Sequence, residues 1–405
     1  MNVIIVNDFA FVNGGASQIA INTAKMLAQN GDTVVFFSAV GPIDECLKNI
    51  KNLEVLCLEQ YDILNNPSRL EAIIQGLWNL KARKAFMMLL KKFKSKETII
   101  HIHTLSKAIS TSILPVAKKY GYKTIYHIHD YGLACPNLGF YDYRKTEICK
   151  RYALGYKCLL KNCDSRSYMH KCWRVIRQIV QKKIGGLPNN IDCYIYISKF
   201  SINILEKYIN KGIKKEFLPN FINLEKKERI EAENNSKVAF IGRLSPEKKP
   251  QLLAKVTKKM DMPVLFIGSG AGEQEIKKEN PNAEITGWLS QEDICEKLKK
   301  VRLVVFPSRW YETQGLTVIE SIARGIPVIV SDVTAAKDEI INEKNGVMFS
   351  SNDEDSLIYQ LKRFKDDALV ERFSRYAYNN YWLRSSDQET YIKKLRDIYL
   401  DVLKM

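Results

Sequence analysis

Residues 306–331 read FPSRWYETQGLTVIESIARGIPVIVS, and this stretch decides the fold. One apolar run ends at Pro307 and another spans Pro327–Val330, and both have the length of buried strands. Between them, a glycine-containing loop leads into apolar residues at helical spacing, beginning near Gly315. This order of strand, loop, helix and strand is typical of a parallel sheet covered by helices on both faces.

The same alternation extends outward through the chain. It restarts once, at Val238, after a charged stretch over Asn223–Lys237 that has few large apolar residues. We therefore predict an α/β domain at 1–218, a second α/β domain at 219–385 and a C-terminal helix within 386–405. The predicted strands are Val3–Val6, Val34–Phe37, Thr98–Ile102, Thr124–Ile128, Cys193–Ile197, Val238–Phe240, Val264–Ile267, Glu284–Ile285, Leu303–Phe306 and Pro327–Val330.

Positive charge is concentrated in the first predicted domain. The 405 residues include 62 Lys+Arg and 45 Asp+Glu, a net charge of +17. Residues 1–218 contain 32 of the basic and 16 of the acidic side chains, hence +16, which leaves 30 against 29, or +1, for the rest. Such an excess indicates an anionic partner: nucleic acid, an acidic membrane surface or a phosphorylated ligand. Because no helix-turn-helix, zinc-finger or RNP pattern accompanies the charge, we expect no nucleic-acid partner.

Two segments of the first domain are both basic and amphipathic. Helices of this kind can lie in an anionic membrane interface, or they can pack on the core and leave a basic face in water. The sequence leaves both interpretations open. The segments are Lys81–Lys96, with apolar Ala82, Ala85, Phe86, Leu89, Leu90 and Phe93, and Lys171–Ile184, with apolar Trp173, Ile176, Ile179 and Val180.

The expected compartment follows from the N-terminus and the cysteines. The opening residues, MNVIIVNDFA, lack the basic and long apolar regions of a signal peptide, and no apolar stretch approaches the ~18 residues of a membrane span. Nine cysteines, an odd number, favour reduced thiols in the cytoplasm. One cluster lacks any Cys-x-x-Cys pair, so we favour structural thiols over a zinc site there. Its members are Cys135, Cys149, Cys158, Cys163 and Cys172.

Two loops of the second domain suit a phosphorylated sugar ligand. Arg243 and Lys248 follow its first strand and could converge on one anion at the carboxyl edge of the sheet. The helix that begins near Gly315 offers a second anion site, because the first N–H groups of a helix have no partner within it. Glu312 precedes this helix and Glu320 lies two turns inside it, so the two carboxylates would meet different parts of one ligand.

Together these motifs resemble family 4 of the retaining glycosyltransferases. The resemblance covers most of the chain and rests on Gly-Arg-Leu with Glu-Lys at 242–248, on Glu312 and Glu320 separated by seven residues, and on Gly-Ile-Pro-Val-Ile at 325–329. It implies the α/β GT-B fold, with two Rossmann-like, doubly wound parallel-sheet domains facing a central cleft. The C-terminal helix would pack back on the first domain.

The resemblance also assigns roles to residues of the second domain. Arg243 and Lys248 would hold the donor diphosphate, and Glu320 would bind the nucleotide ribose. Glu312 would position the transferred sugar and is a predicted catalytic residue. The other predicted donor contacts are the backbone amides of Thr313, Gln314, Gly315 and Leu316, the loop glycines Gly268 and Gly270, and Trp288 at the base pocket.

In the first domain, the resemblance singles out the pair His129-Asp130. His129 is the second predicted catalytic residue; it would contact a hydroxyl of the donor sugar rather than act as a conventional base. Gly14 and Gly15 would let the backbone approach the donor. The remaining histidines at strand ends, His101, His103 and His127, are interpreted as packing residues, with His103 as an outside candidate.

The implied activity is transfer of a sugar from a nucleoside diphosphate, UDP or GDP, with retained configuration and without a metal. With the charge, it predicts a bacterial surface-polysaccharide enzyme at the inner face of the cytoplasmic membrane, acting on a glycan or polyprenyl-diphosphate-linked acceptor. The alternative is a nucleotide-sugar epimerase, or another GT-B enzyme that forms no glycoside. A nicotinamide oxidoreductase is disfavoured, because no Gly-x-Gly-x-x-Gly follows the first strand. Thr313-Gln314 replace the aromatic residue and glycine that the family often has, which leaves the sugar open.

Overall fold

The computed structural model describes residues 1–351, 353–384 and 387–405, and these fall into two compact units. The N-terminal unit contains residues 1–139, 151–221 and the C-terminal segment from 387, whereas the C-terminal unit contains 140–150 and 222–384. The first boundary therefore lies after Phe221, where the sequence predicted 218. The second predicted boundary, at 385/386, lies outside the described residues. The assignment of 140–150 to the C-terminal unit has no counterpart in the sequence pattern.

The described part of the N-terminal unit is built on seven short strands. They are β1 (Asn2–Val6), β2 (Thr33–Ser38), β3 (Leu53–Cys57), β4 (Thr98–Ile102), β5 (Lys123–Ile128), β8 (Cys193–Tyr196) and β9 (Lys214–Phe217). All neighbours pair in parallel, in the order β3-β2-β1-β4-β5-β8-β9. The order reverses between β1 and β4, which is where open parallel sheets bind ligands.

Helices cover this sheet. They are α1 (Gly15–Gln29), α2 (Arg69–Leu77), α3 (Leu80–Leu90), α4 (Leu114–Lys119), α5 (Tyr156–Leu159), α6 (Tyr168–Lys183), α7 (Lys199–Leu205) and, at the end of the chain, α14 (Gln388–Lys404). Helix α14 begins where Asp387 accepts a hydrogen bond from the Thr390 N–H, and it buries Tyr391, Leu395 and Tyr399 in the same core as β1 and β2. The C-terminal helix thus packs within the N-terminal unit.

The described part of the C-terminal unit has a second parallel sheet. Its strands are β10 (Lys237–Ile241), β11 (Val264–Ile267), β12 (Glu284–Ile285), β13 (Val301–Phe306), β14 (Val328–Ser331) and β15 (Gly346–Phe349). They pair in the order β12-β11-β10-β13-β14-β15, so the order reverses between β10 and β13. Its helices are α8 (Pro250–Lys259), α9 (Glu273–Glu279), α10 (Gln291–Leu298), α11 (Leu316–Ala323), α12 (Glu354–Arg363) and α13 (Asp367–Arg384).

The prediction of two Rossmann-like, parallel-sheet domains is confirmed, and every predicted strand is present. The sequence pattern misses β3 and β9, because each is a partly exposed edge strand in which charged residues interrupt the apolar run. It also misses β15, a mostly buried edge strand of only four residues. It also misses a short antiparallel hairpin of β6 (Tyr141–Asp142) and β7 (Glu147–Ile148).

Helix α3 decides between the two interpretations of the basic amphipathic segment Lys81–Lys96. Its apolar residues Ala82, Phe86, Leu89 and Leu90 are buried, so this stripe packs on the core and cannot lie in a membrane. Helix α6 has the opposite orientation, because its apolar residues Ile176 and Ile179 are exposed.

Candidate functional site

The two predicted donor loops follow β10 and β13, the pair of strands at which the order of the C-terminal sheet reverses. Their carboxyl ends lie side by side, because the strands are parallel neighbours. The main chain also joins the loops: the Arg309 N–H donates to the Glu247 carbonyl oxygen at 2.8 Å. The structure thus brings together two segments about sixty residues apart at the position where ligands bind in this architecture.

A lysine–glutamate pair links the same loops. Lys248 Nζ forms a close ion pair with Glu312 Oε1, and the Ser308 hydroxyl donates to that oxygen at 3.0 Å. The two side chains are only 16% and 10% exposed, and Lys248 Nζ lies 5.2 Å from the centre of the Phe306 ring. The lysine is therefore held in a fixed, poorly hydrated position, where an anion would interact with it more strongly than in water.

The predicted loop glycines are required by close contact between backbones. A Cβ on Gly268 would lie 2.1 Å from the Gly242 carbonyl oxygen, and one on Gly270 would lie 2.5 Å from the Leu244 carbonyl oxygen. Both glycines also have positive φ, 141° and 154°. The Leu244 N–H donates to the Ser269 carbonyl oxygen at 2.9 Å, so the loop after β11 supports the loop that carries Lys248.

Replacing Gly268 with alanine is expected to destabilise the C-terminal unit by about 2–4 kcal/mol, because the new methyl group must displace main chain. A unit of this size would lose about 5–10 °C in Tm, which thermal unfolding would measure. Gly212→Ala is the matched control, since nothing lies within 4 Å of a Cβ there. Equal melting temperatures for the two variants would contradict the role given to the Gly268 contact.

Helix α11 begins immediately after Gly315. Its N-cap residue is Gly315, which has no side chain to cap the helix, and a Cβ on Gly315 would lie 2.6 Å from the Ala336 side chain. Partly buried Glu320 lies further along the helix; burial raises the pKa of its carboxyl, while Arg324 and the Gln291 side chain oppose this shift. Leu316, Thr313 and Gln314 lie at or just before the helix start, as predicted.

Two other predicted donor contacts are exposed. Arg243 projects into solvent from the loop after β10, and the Trp288 side chain is 86% exposed. An indole this exposed has little packing on the protein, so it can pack on a ligand. Trp288 follows Gly287, which is bridged to Gly268, so it stands beside the loop after β11.

The hairpin of β6 and β7 lies beside the same loops, although it is inserted between strands of the other unit. The Phe140 ring centre is 6.5 Å from that of Tyr311. Buried Tyr141 is close enough to Glu247 and Arg309 for both to act on its pKa, which burial raises to about 12. No local sequence signal reveals this placement, because it depends on contacts over more than 100 residues.

In the N-terminal unit, the predicted His129 belongs to a stack of four histidines. The stack is formed by His101, His103, His127 and His129, whose neighbouring rings lie 4.3–5.4 Å apart. His103 Nδ1 and His129 Nε2 share a hydrogen bond of 2.9 Å, and burial lowers the pKa of His129 to about 3. A ring with this pKa is a poor proton acceptor at neutral pH, which favours a contact role over a general base.

Two groups of residues in the N-terminal unit offer atoms of the kinds that bind metals. His101, His103 and His127 have ligand atoms within 4.8 Å of one another, but the rings of His101 and His127 are stacked at 8°, so their in-plane lone pairs do not converge. Within the cysteine cluster, buried Lys171 has its Nζ 3.6 Å from Cys158 Sγ, and the thiols of Cys163 and Cys135 also act on its pKa. An ammonium group therefore lies among these sulfur atoms.

Gly14 and Gly15 lie at an exposed helix start. Gly14 has a φ of 111° and precedes α1, which follows β1. No described side chain caps this helix, and a Cβ on Gly14 would have nothing within 4 Å. The positive φ, not crowding within the protein, explains the glycine here.

Comparisons with known proteins match both the donor loops and the fold. Residues 222–380 match the family described as Glycosyl transferases group 1. A Klebsiella pneumoniae protein, "Uncharacterized 42.6 kDa protein in cps region", is 26% identical over 352 residues, covering 82% of this chain and 86% of its own. The Escherichia coli "UDP-Gal:alpha-D-GlcNAc-diphosphoundecaprenol alpha-1,3-galactosyltransferase" is 28% identical over 238 residues, and the match spans 55% of each chain.

Solved structures resemble the whole chain. Sucrose-phosphate synthase from Thermosynechococcus elongatus superposes with a TM-score of 0.72 at 16% identity and covers 100% of this chain and 99% of its own. Anabaena Alr3699/HepE, in complex with UDP-glucose, gives 0.66 at 16% identity, with 98% and 99% covered. At such identities the likeness shows the fold alone. The structural likeness shows the GT-B fold of glycosyltransferases, and residues 222–380 of the chain are a Glycosyl transferases group 1 domain.

Proposed function

We propose that the protein is a retaining glycosyltransferase that moves a sugar from a nucleoside diphosphate to a hydroxyl of a lipid-linked glycan, during synthesis of a bacterial surface polysaccharide. The observation that carries the proposal is the Lys248–Glu312 pair at the carboxyl ends of β10 and β13, inside the matched domain. The Escherichia coli relative is named for an acceptor on diphosphoundecaprenol, and the Klebsiella pneumoniae relative for a cps region. The Escherichia coli name supports an acceptor of this class, and the Klebsiella pneumoniae name supports only the polysaccharide context.

The donor diphosphate would bind between Arg243, Lys248 and the start of α11. An incoming phosphate would compete with Glu312 for Lys248, and the released carboxylate could then accept hydrogen bonds from the sugar hydroxyls. As the sugar–phosphate bond breaks, negative charge grows on the diphosphate. The two cations and the N–H groups before Leu316 would stabilise that charge without reorganising, which is the main means by which such sites lower a barrier.

The remaining predicted contacts complete the proposal. Glu320 would accept from the ribose hydroxyls, and Trp288, Gly268 and Gly270 would lie near the nucleotide. His129, Gly14 and Gly15 would be the contacts from the N-terminal unit. We propose a UDP- or GDP-linked donor, with UDP favoured by the named donor of the Escherichia coli relative. The leaving diphosphate would take up the acceptor proton, so transfer would need no metal, and the cysteines would be structural.

The stereochemical outcome is a direct test of this reaction. With an α-linked donor and an acceptor alcohol, the product is expected to have the α configuration, which the anomeric coupling in a proton NMR spectrum reports. A β-linked product would contradict the retaining mechanism. Consumption of a nucleotide sugar without any glycoside would favour the alternative, an epimerase or another GT-B enzyme. A panel of UDP- and GDP-sugars would identify the donor in the same experiment.

We also propose that the protein works in the cytoplasm, peripherally at the inner face of the cytoplasmic membrane, with no nucleic-acid partner. A polyprenyl-linked acceptor is confined to the bilayer, so the enzyme must reach its surface. Among the described residues, no helix combines the length and apolar character needed to cross a membrane. We propose that a surface of the folded protein makes this membrane contact.

A further inference from the structure

Helix α6 has its polar side turned towards the protein interior. Buried Gln178 and Gln181 each donate to the Gly132 carbonyl oxygen at 2.9 Å, and buried Arg177 donates to the Ser106 carbonyl oxygen at 3.1 Å. The apolar residues on the opposite side, among them Ile176 and Ile179, are exposed. A surface helix of a globular protein normally has the reverse orientation. The buried hydrogen bonds fix this one.

Helix α2 shows the same inversion. Its buried Gln75 donates to the Tyr61 carbonyl oxygen at 2.8 Å, whereas Leu70, Ile73 and Ile74 are exposed. Large apolar side chains in water are costly when they are contiguous, and contiguous patches of this kind mark interaction surfaces. The exposed faces of α2 and α6 form one such patch if the two helices are neighbours.

The two helices touch at Gly76 and Trp173. A Cβ on Gly76 would lie 2.6 Å from the Trp173 ring, so the indole packs directly on the α2 backbone. On α6, Trp173 lies one turn from both Met169 and Ile176, on the same side as the exposed apolar residues. The exposed faces thus continue from one helix to the other. We call this surface the α2–α6 face; its apolar members, each 45–76% exposed, are Leu70, Ile73, Ile74, Met169, Ile176 and Ile179.

Basic residues flank the α2–α6 face. Arg69 at the start of α2 and Lys182 and Lys183 at the end of α6 are exposed. Residues 168–183 contain no acidic side chain, and residues 1–218 carry the +16 excess. A second copy of the chain would place like charges opposite one another, which opposes self-association. Apolar side chains bordered by lysine and arginine match an anionic lipid surface, where the former enter the acyl boundary and the latter meet the headgroups.

We propose that the α2–α6 face docks the protein on an anionic bilayer. This inference rests on the proposed function for its purpose, since a lipid-linked acceptor presents its diphosphate at that surface. It does not rest on the proposed function for its evidence, which is the orientation of two helices. Docking through α2 and α6 also replaces the sequence-based candidate Lys81–Lys96, whose apolar stripe is buried.

Vesicle flotation of the full chain tests the proposal. Vesicles of phosphatidylcholine with about 30% phosphatidylglycerol are expected to bind the wild type at least tenfold more strongly than pure phosphatidylcholine. The triple variant Ile73→Gln/Ile176→Gln/Ile179→Gln is expected to bind the anionic vesicles at least tenfold more weakly, with unchanged circular dichroism and Tm. The matched control is Leu383→Gln/Leu400→Gln, which removes exposed leucines elsewhere and should bind within twofold of the wild type.

Three results would overturn the proposal: equal binding of the wild type to neutral and anionic vesicles, full binding by the triple variant, or a dimer in size-exclusion chromatography that the triple substitution dissociates. The last would assign the α2–α6 face to a second copy. Transfer to a water-soluble acceptor without vesicles separates this proposal from the proposed function. The triple variant should retain that activity within twofold. Vesicle binding by a wild type that forms no glycoside would refute the function and leave the docking surface standing.

Discussion

Replacing Lys248 with alanine is expected to lower the rate of sugar transfer about 10²–10³-fold, the usual effect of removing one preorganised group that stabilises developing charge. Lys248 is mostly buried and held between Glu312 and the Phe306 ring, so no mobile surface lysine can take its place. Its removal also takes the Lys248 ammonium away from the Glu312 carboxylate. That carboxylate would then repel the incoming diphosphate, which adds to the loss.

The Glu312→Ala variant is expected to lose a similar factor, and the double variant no more than the larger of the two single losses. The reason is that the two side chains form one unit: each fixes the other, and the Ser308 hydroxyl supports the same carboxylate oxygen. Residues that act as a unit show strongly non-additive losses. Initial rates for the four proteins, measured at saturating donor, give the coupling directly.

A second ion pair of the same unit supplies the control. Lys237 Nζ lies 2.5 Å from Glu284 Oε2, but this pair sits at the start of β10 and on β12, away from the loops that carry Lys248 and Glu312. Lys237→Ala and Glu284→Ala are therefore expected to transfer sugar within twofold of the wild type. Full activity in Lys248→Ala, or multiplicative losses in the double variant, would contradict the site.

The sequence predicts the sheets well because a parallel sheet buries both faces. Strands such as residues 3–6 or residues 303–306 are then continuously apolar, and that pattern is local. The edge strand Lys214–Phe217 is not predicted, because it is partly exposed to solvent and carries charged residues instead of an apolar run. Gly268 and Gly270 stand out as a motif, but only the structure shows that main-chain contacts with Gly242 and Leu244 require them.

Two other features cannot be predicted from the sequence, because they depend on contacts between residues far apart in the chain. Periodicity shows that α6 has an apolar and a polar side, but not which side is buried. That choice depends on carbonyl groups at Ser106 and Gly132, which distant loops place beneath the helix. The pairing of Lys248 with Glu312 likewise depends on the order of β10 and β13 in the sheet, since 64 residues separate the two side chains along the chain.

Lowering the pH from 7.5 to 5.5 is expected to reduce the stability of the N-terminal unit through its four stacked histidines, all of which have lowered pKa values. Burial lowers the pKa of His101 to about 3, and the pKa values of His103 and His127 well below the ordinary 6.5. Below pH 6.5 the unfolded chain therefore binds protons that the folded chain does not. Stability therefore falls as pH falls, from about 6.5 down to the folded pKa, and His101 alone accounts for about 1.4 kcal/mol at pH 5.5.

Urea unfolding midpoints between pH 5 and 7.5 would measure how the free energy of unfolding changes with pH. Single substitutions would assign this dependence to individual histidines. Buried Asp8 and partly buried Asp130 have pKa values that desolvation raises, and so act in the opposite direction. Differences between variants are therefore more informative than the total. His127→Gln should reduce the slope of stability against pH below pH 6.5, whatever it does to stability at pH 7.5, because it removes a buried imidazole that resists protonation. The comparison variant is His170→Gln, which alters an exposed histidine at the start of α6, outside the stack. Equal slopes in all three proteins would mean that His127 binds a proton in the folded state, and its neutral place in the stack would be refuted.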